Sequence, residues 1–303
     1  VRNEKYAESI ARFISLNGDG ADKMTERAVK KLVSGIPAVD GAGVRLVRVL
    51  GRDTVYDFDP FLMLDSFDSI DPGDYIAGFP KHPHRGIETV TYLISGEIDH
   101  EDSLGNKGRI LSGQSQWMTS GSGILHQEMP RPAERMLGVQ LWINLPRKDK
   151  MTEPKYFDIT EDMIGKKVTE SATVRVISGE YKGITGVRPH HVQATCFDVE
   201  LSGGSSISLD TRPEDTAFVF LIEGEAVVQG DLIREKTAVL FSNGDYVTLS
   251  APYGKKSRFL FLSAEPLKEP ISWGGPIVMN TTDELQHAFE ELRSGKFIKH
   301  APV

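Results

Sequence analysis

The feature that most constrains the fold of this chain is an internal repeat. The stretch YLISGEI, Tyr92 to Ile98, returns 128 positions later as FLIEGEA, Phe220 to Ala226. Such a recurrence means either two copies of one structural unit or two glycine-turn hairpins that are alike by chance. Two copies fit the length, since 303 residues, 39% of them apolar, suffice for two ordinary domains. The 29 glycines and 16 prolines are scattered between short Val, Ile, Leu and Phe runs, which predicts many turns joining short strands and hence an all-β chain. The expected division is an N-terminal extension over 1–35, a first domain over 36–160 and a second over 161–303.

The front copy carries the residues with chemistry. In KHPHRGIETVTYLISGE, Lys81 to Glu97, His82 and His84 flank Pro83, and Glu88 follows four residues on. Side chains alternate faces along an extended segment, so positions 82, 84 and 88 share a side provided that no bulge intervenes. Pro83 lacks an N–H and biases His82 toward an extended backbone, which suits a strand entrance or edge. Taken alone, the pair admits two readings: hydrogen-bonded histidines on the wet face of a strand, or two imidazoles aimed at one ion.

Further on, GQSQWMTSGSGILHQEMP, Gly113 to Pro130, places His126 and Glu128 two apart as well. Gly121 and Gly123 allow a tight turn that would lay this strand beside the first. His82, His84, His126 and Glu128 could then converge as three neutral imidazoles and a carboxylate, a donor set for divalent iron, copper, nickel, manganese or zinc. In an octahedral site, four protein ligands leave two positions open. The repeat sharpens the expectation. An offset of 128 lays Asp210, Arg212 and Thr216 on His82, His84 and Glu88, and a second anchor, Gly113 on Gly244, lays Ser257 and Phe259 on His126 and Glu128. Every ligand type is lost together in the back copy, so the four are expected to act as a set: one metal in the front half, none in the back.

The remaining signals are weaker. Cys196, the single cysteine, lies in the apolar run ATCFDVEL and reads as a buried structural thiol. His190 and His191 are adjacent and read as a loop or strand-edge pair. His100, beside Glu101 and Asp102 ahead of a turn, reads as part of a solvated hairpin. Near the end, Leu285, Ala288, Phe289 and Leu292 stand at helical spacing, with Thr281 and Glu284 as a capping box and Gly295 as a stop, which predicts a helix near Thr282 to Ser294. EKYAESIARFISL reads as a short helix within an upstream extension, because Met24 offers a natural start. A net charge of -8, from 43 acidic and 35 basic residues with no Lys/Arg-rich block, argues against binding nucleic acid or anionic membrane. With no apolar run of transmembrane length and no cleavable leader pattern, the chain reads as cytoplasmic.

Five stretches resemble one known family. DFDPFLMLDSF (Asp57 to Phe67), GFPKHPHRGIETVTYL, HEDSLGN, QWMTSGSGILHQEMP and EPISWGGPIVMNTTDE, spread over roughly residues 35 to 298, are similar to segments of the pirins, two-domain members of the cupin superfamily. The resemblance implies two consecutive cupin jelly-roll β-barrels. It further implies one divalent metal, usually iron and so Fe(II) here, held in the first barrel at the positions of His82, His84, His126 and Glu128, the second barrel lacking ligands. Cupins at large commonly use the glutamate at the position of Glu88, whereas pirins use the one at Glu128; this leaves Glu88 a supporting or structural role.

Some pirins are similar to quercetinases, which open the heterocyclic ring of a flavonol with dioxygen and release carbon monoxide. On that reading the chain is a metal-dependent dioxygenase, with a flavonol-like substrate on an open metal position and Glu128 accepting the hydroxyl proton. Other pirins look like regulators. The alternative is therefore an iron- or redox-sensing protein that binds a transcription factor or a metabolic enzyme and needs no substrate.

Overall fold

The computed structural model describes residues 24–300, so the short helix expected in EKYAESIARFISL lies outside the described residues. In the front half, a seven-stranded antiparallel sheet runs in the order Lys155–Ile159, Ser115–Thr119, Ile87–Ser95, Met136–Asn144, Phe61–Ser69, Val44–Leu50, Ile36–Asp40. Across from it lies a four-stranded sheet of Phe79–His84, Ile124–Pro130, Ile98–Asp102 and Lys107–Ile110. Leu46, Phe67 and Leu93 of the first meet Ile98 and Ile110 of the second, closing one end of the enclosed interior. The back half is a ten-stranded sheet built along Val29–Ser34, Thr237–Phe241, Thr216–Val228, Ser257–Ala264, Thr195–Leu201, Ala172–Ser178 and Gly165–Val168.

The repeated glycine makes the same corner twice. Gly224, with φ +78, sits where Thr216–Val228 stops pairing with Ser257–Ala264 and starts pairing with Asp231–Arg234. Gly96, with φ +108, separates Ile87–Ser95 from Ile98–Asp102, which belong to the two opposed sheets. Only a residue without Cβ takes these conformations at little cost. Upstream of the corner, the equivalent Tyr92 and Phe220 pair with Val139 and Leu260 and turn outward into one shared core. Two long sheets therefore stack face to face, each half covering the other's apolar side, with Phe58 and Phe61 set edge-on to Phe218 at 5.1 Å. A buried polar contact crosses the same interface: the Tyr92 hydroxyl donates to Asp198 at 2.8 Å, and Arg258 donates twice to that carboxylate at 2.9 and 2.6 Å.

Both ends of the described chain cross over. Val29–Ser34 pairs with Thr237–Phe241 of the back sheet, and after the last back strand the chain returns to the front barrel as a hairpin, Ser272–Gly274 with Ile277–Met279, and a helix, Thr282–Arg293. The helix has the expected capping box, Thr281 Oγ1 accepting from Glu284 N at 3.2 Å and Glu284 Oε2 accepting from Thr281 N at 3.0 Å. Buried Arg85 ties it down through Glu291 at 2.8 Å. Cys196 is buried as expected, and burial pushes its thiol up to about 12.

The topology corrects half of the repeat alignment. Tyr246–Ser250 pairs with Ser206–Asp210 as Ile124–Pro130 pairs with Phe79–His84, whereas Ser257–Ala264 flanks Thr216–Val228 as Met136–Asn144 flanks Ile87–Ser95. Ser257 and Phe259 therefore do not overlie His126 and Glu128. Asp210 and Arg212 are exposed rather than turned inward. The connections between matching strands differ in length in the two halves, so a fixed offset drifts. Positions that face the back interior on the two strands are Ile207, Leu209, Val247 and Leu249, all packed in its apolar core.

Candidate metal centre

Strand pairing assembles the site. Ile124–Pro130 runs antiparallel to Phe79–His84 with Ile124 opposite His84 and His126 opposite His82, and after an irregularity Glu128 stands opposite Phe79. Gly121 and Gly123, at φ +45 and +135, form the turn that brings the second strand there. His126 and Glu128 are buried while Leu125 and Gln127 are less so, the alternation expected of a strand with one face inward. The ring nitrogens of His82, His84 and His126 lie within 4.8 Å of one another, and the group could hold a metal ion.

The tautomers argue for a cation between them. His82 Nδ1 lies 2.9 Å from the Pro80 carbonyl oxygen and His84 Nδ1 3.1 Å from that of Pro276. A carbonyl only accepts, so both Nδ1 atoms carry the hydrogen and both Nε2 atoms present lone pairs. Those Nε2 atoms face each other at 3.0 Å. Two lone pairs so close repel unless a proton or a metal lies between them, and burial, reinforced by His82, pushes His84 down to about 3, which disfavours the proton. His126 is likewise pushed well down by burial, and neither of its ring nitrogens has a hydrogen-bond partner among the described residues. The donor set fits a divalent transition metal.

Glu128 lies in the same interior but outside this group of mutually close ligand atoms. Its Oε1 accepts from Thr91 Oγ1 at 2.9 Å and its Oε2 from Gln140 Nε2 at 2.7 Å, while Gln140 Oε1 accepts from Trp142 Nε1 at 3.4 Å. Each carboxylate oxygen keeps a further lone pair. Thr91, Gln140 and Trp142 carry no motif of their own, and only their place in the sheet marks them.

Two expectations are overturned. Glu88 does not share the side of His82 and His84, because Gly86, at φ +79, breaks the strand and Ile87 starts a different sheet. A Cβ at Gly86 would lie 2.0 Å from the Val278 carbonyl oxygen, so the chain passes too close there for any other residue. Glu88 falls on the face of Val90 and Tyr92, toward the back half; Thr119 Oγ1 donates to its Oε1 at 2.8 Å, and burial pushes it up to about 7. His100, read as solvated, is buried: its side chain is 0% exposed and stacks on Tyr156 at 4.4 Å. The segment is a hairpin, as expected, but Ile98, His100 and Asp102 form its inner face. The alternation of Ile98 with His100 was the signal. His190 and His191 lie outside regular strands, with His191 3.3 Å from Asp149.

A cavity of about 590 Å³ opens onto His82 and His84. Its apolar wall includes Met63, Phe79, Trp142 and Trp273, the last delivered by the C-terminal hairpin. Trp142 stands edge-on to His84 at 4.9 Å and 5.9 Å from Trp273. Arg48 is neutralised by Asp65 at 2.7 Å and Asp40 at 2.6 Å, while the Arg52 guanidinium lies 5.6 Å from the centre of the Trp273 ring.

Two β-barrel halves, one gathering three imidazoles in its interior, define a two-domain cupin. The chain belongs to the pirin family: the Pirin family model matches residues 43–143 and that of the Pirin C-terminal cupin domain residues 196–298. A pirin-like protein of Caulobacter vibrioides is 42% identical over 278 residues, 90% of this chain and 100% of that one. Human pirin is 40% identical over 263 residues, covering 85% of this chain and 89% of its own. The crystal structure of a quercetin 2,3-dioxygenase from Acinetobacter baumannii superposes with a TM-score of 0.83 at 33% identity, covering 90% of this chain and 99% of that one. Among the described residues no helix is long and apolar enough to cross a membrane.

Proposed function

We propose that this chain is a metal-dependent dioxygenase that opens the heterocyclic ring of a flavonol-like substrate, with Fe(II) held by His82, His84, His126 and Glu128. The observation that carries the reading is the opposed pair of Nε2 atoms of His82 and His84, 3.0 Å apart, beside an aromatic-walled cavity of about 590 Å³. That volume falls in the range of ordinary small-molecule sites. Likeness to a structure named as a quercetin 2,3-dioxygenase supports the same chemistry. When bound, a divalent iron supplies Lewis acidity toward a phenolic oxygen and the redox capacity that dioxygen chemistry requires.

The protein's own residues do the rest. Trp142 and Trp273 give the cavity an aromatic wall for a planar ligand, and Met63 and Phe79 add apolar surface to it. Glu128, oriented by Thr91 and Gln140, takes up the proton of the substrate hydroxyl on a free lone pair. Three neutral imidazoles and one carboxylate around a divalent ion leave net positive charge, which favours the phenolate.

Dioxygen uptake tests it. Anaerobically purified, iron-loaded protein is expected to consume dioxygen with quercetin, and to stop when the metal is chelated. No uptake across a flavonol panel would overturn the reading and favour the sensing protein with a macromolecular partner.

A further inference from the structure

Inside the front barrel two buried histidines share one irregularity. His100 and His126 each have both ring nitrogens buried without a hydrogen-bond partner among the described residues, and their rings lie 5.4 Å apart. Buried polar groups are nearly always paired, so two such rings side by side call for a joint explanation. The imidazoles of His82 and His84 present no such difficulty, because each has its Nδ1 on a backbone carbonyl, of Pro80 and Pro276. His126 alone of the three lacks that support. A histidine that ligates a metal ordinarily has its second ring nitrogen held by a fixed polar group, which sets the tautomer and the tilt of the ring.

His100 is the buried polar ring beside His126, although no hydrogen bond joins the two rings here. The strand Ile98–Asp102 pairs directly with Ile124–Pro130, setting Asp102 opposite His126 and His100 opposite Glu128. Two contacts fix the His100 ring, and the second is itself held. Its Nε2 lies 3.5 Å from Asp102 Oδ2; its face stacks on Tyr156 at 4.4 Å and 19°; and the Tyr156 hydroxyl is itself held, donating to Asp158 at 2.5 Å and accepting from Gln116 at 2.9 Å. Asp102 is anchored in turn by the side chain of Asn106 at 2.8 Å and by the backbone N–H of Leu104 at 2.9 Å. A ring held by Asp102 and Tyr156, with the His126 imidazole as a neighbour, is a rigid prop.

We propose that His100 is a positioning residue of the metal centre: backed by Asp102 and stacked on Tyr156, it offers a ring nitrogen to the second nitrogen of His126 once an ion takes the first, the part that the carbonyls of Pro80 and Pro276 play for the other two. The proposal rests on the reading of the imidazole group as a metal site. It gives His100 contact with neither substrate nor metal.

The test uses the full chain, loaded with Fe(II) for affinity and with Cu(II) for spectroscopy. His100→Phe keeps the ring and its stacking on Tyr156 but removes both nitrogens; His100→Gln restores a polar group at the same place. Removing such a supporting partner typically costs about 10- to 100-fold in metal affinity. His100→Phe is therefore expected to lose metal to a competing chelator at concentrations about 10- to 100-fold lower than the wild type, and to alter the electron paramagnetic resonance spectrum of the copper form. His100→Gln is expected to recover most of both. Wild-type affinity and spectrum in His100→Phe would overturn the positioning role and leave the metal site standing. Equal losses in both variants, in step with a lower melting temperature of the metal-free protein, would also overturn it, showing a purely structural residue. A wild-type chain that retains no metal would overturn the metal reading itself.

Discussion

Gln140 Nε2 donates to Glu128 Oε2 at 2.7 Å, and the same Gln140 accepts from Trp142, so a single amide links the buried carboxylate to the wall of the cavity. Orientation of that carboxylate and its capacity to take a proton are thus separable by mutation. Glu128→Gln removes the proposed proton acceptor and proposed ligand charge, and is expected to abolish turnover and weaken metal retention about tenfold or more. Gln140→Leu leaves the carboxylate in place with one donor fewer, and is expected to lower turnover about tenfold while metal content stays at the wild-type level. Dioxygen uptake and metal analysis after mild chelation separate the two. A fully active Glu128→Gln would show that the wrong base was assigned.

Glu88 makes the complementary prediction. Its folded-state value of about 7 stands above the usual 4.5 because burial disfavours the charge. The folded protein therefore binds more protons than the unfolded chain between these values, and stability declines as pH rises from about 4.5 to about 7. The full difference corresponds to about 3 kcal/mol. Glu88→Gln, which can still accept from Thr119, is expected to remove this decline, so that urea midpoints at pH 5 and pH 8 draw together. Metal content should not change, since Glu88 faces the other barrel. Loss of metal from this variant, with retention in Glu128→Gln, would exchange the roles of the two carboxylates.

How far the sequence reached can be judged at these same residues. The histidine pairs were legible because spacing of two in an extended segment fixes a shared face, and because glycines at 121 and 123 announce the turn between the strands. The all-β character and the terminal helix followed from turn density and a capping box. Face-sharing failed at Glu88 because one residue, Gly86, ends the strand and starts another sheet, and a single break reverses every side chain beyond it. His100 was missed for a different reason: its charged neighbours suggested solvent, whereas alternation with Ile98 pointed inward. The second repeat anchor failed because connections of unequal length shift the register between strands that match in space. Thr91, Gln140 and Trp273 were out of reach, since what they touch is set by pairings between distant strands.

Trp273 extends the cavity wall from the C-terminal hairpin, so it tests whether that hairpin shapes binding. Trp273→Ala removes one aromatic side chain of the cavity wall and the ring beneath Arg52. Stacking and cation–π contacts of this kind contribute about 1 kcal/mol each. Quercetin affinity is expected to fall about tenfold, with KM rising and kcat little changed, and with metal content intact. Binding followed by fluorescence quenching decides the matter; unchanged affinity would place the ligand elsewhere.

The last prediction concerns stoichiometry, and it sets the two halves against each other. In the front barrel the inward positions of the paired strands hold His82, His84 and His126, whereas in the back barrel they hold Ile207, Leu209, Val247 and Leu249. The same architecture thus fills one interior with imidazoles and the other with apolar packing. His84→Ala should remove most of the metal, because a water cannot replace a fixed imidazole at equal strength, while changing the apolar core of neither half. Leu209→Ala should do the reverse. It opens a cavity among closely packed aliphatic side chains and is expected to cost about 2–5 kcal/mol of stability, with metal content untouched. Elemental analysis of wild-type protein should give one metal per chain. A value of two, or metal retained in His84→Ala and lost in Leu209→Ala, would mean that the back barrel, despite its aliphatic interior, carries a site of its own.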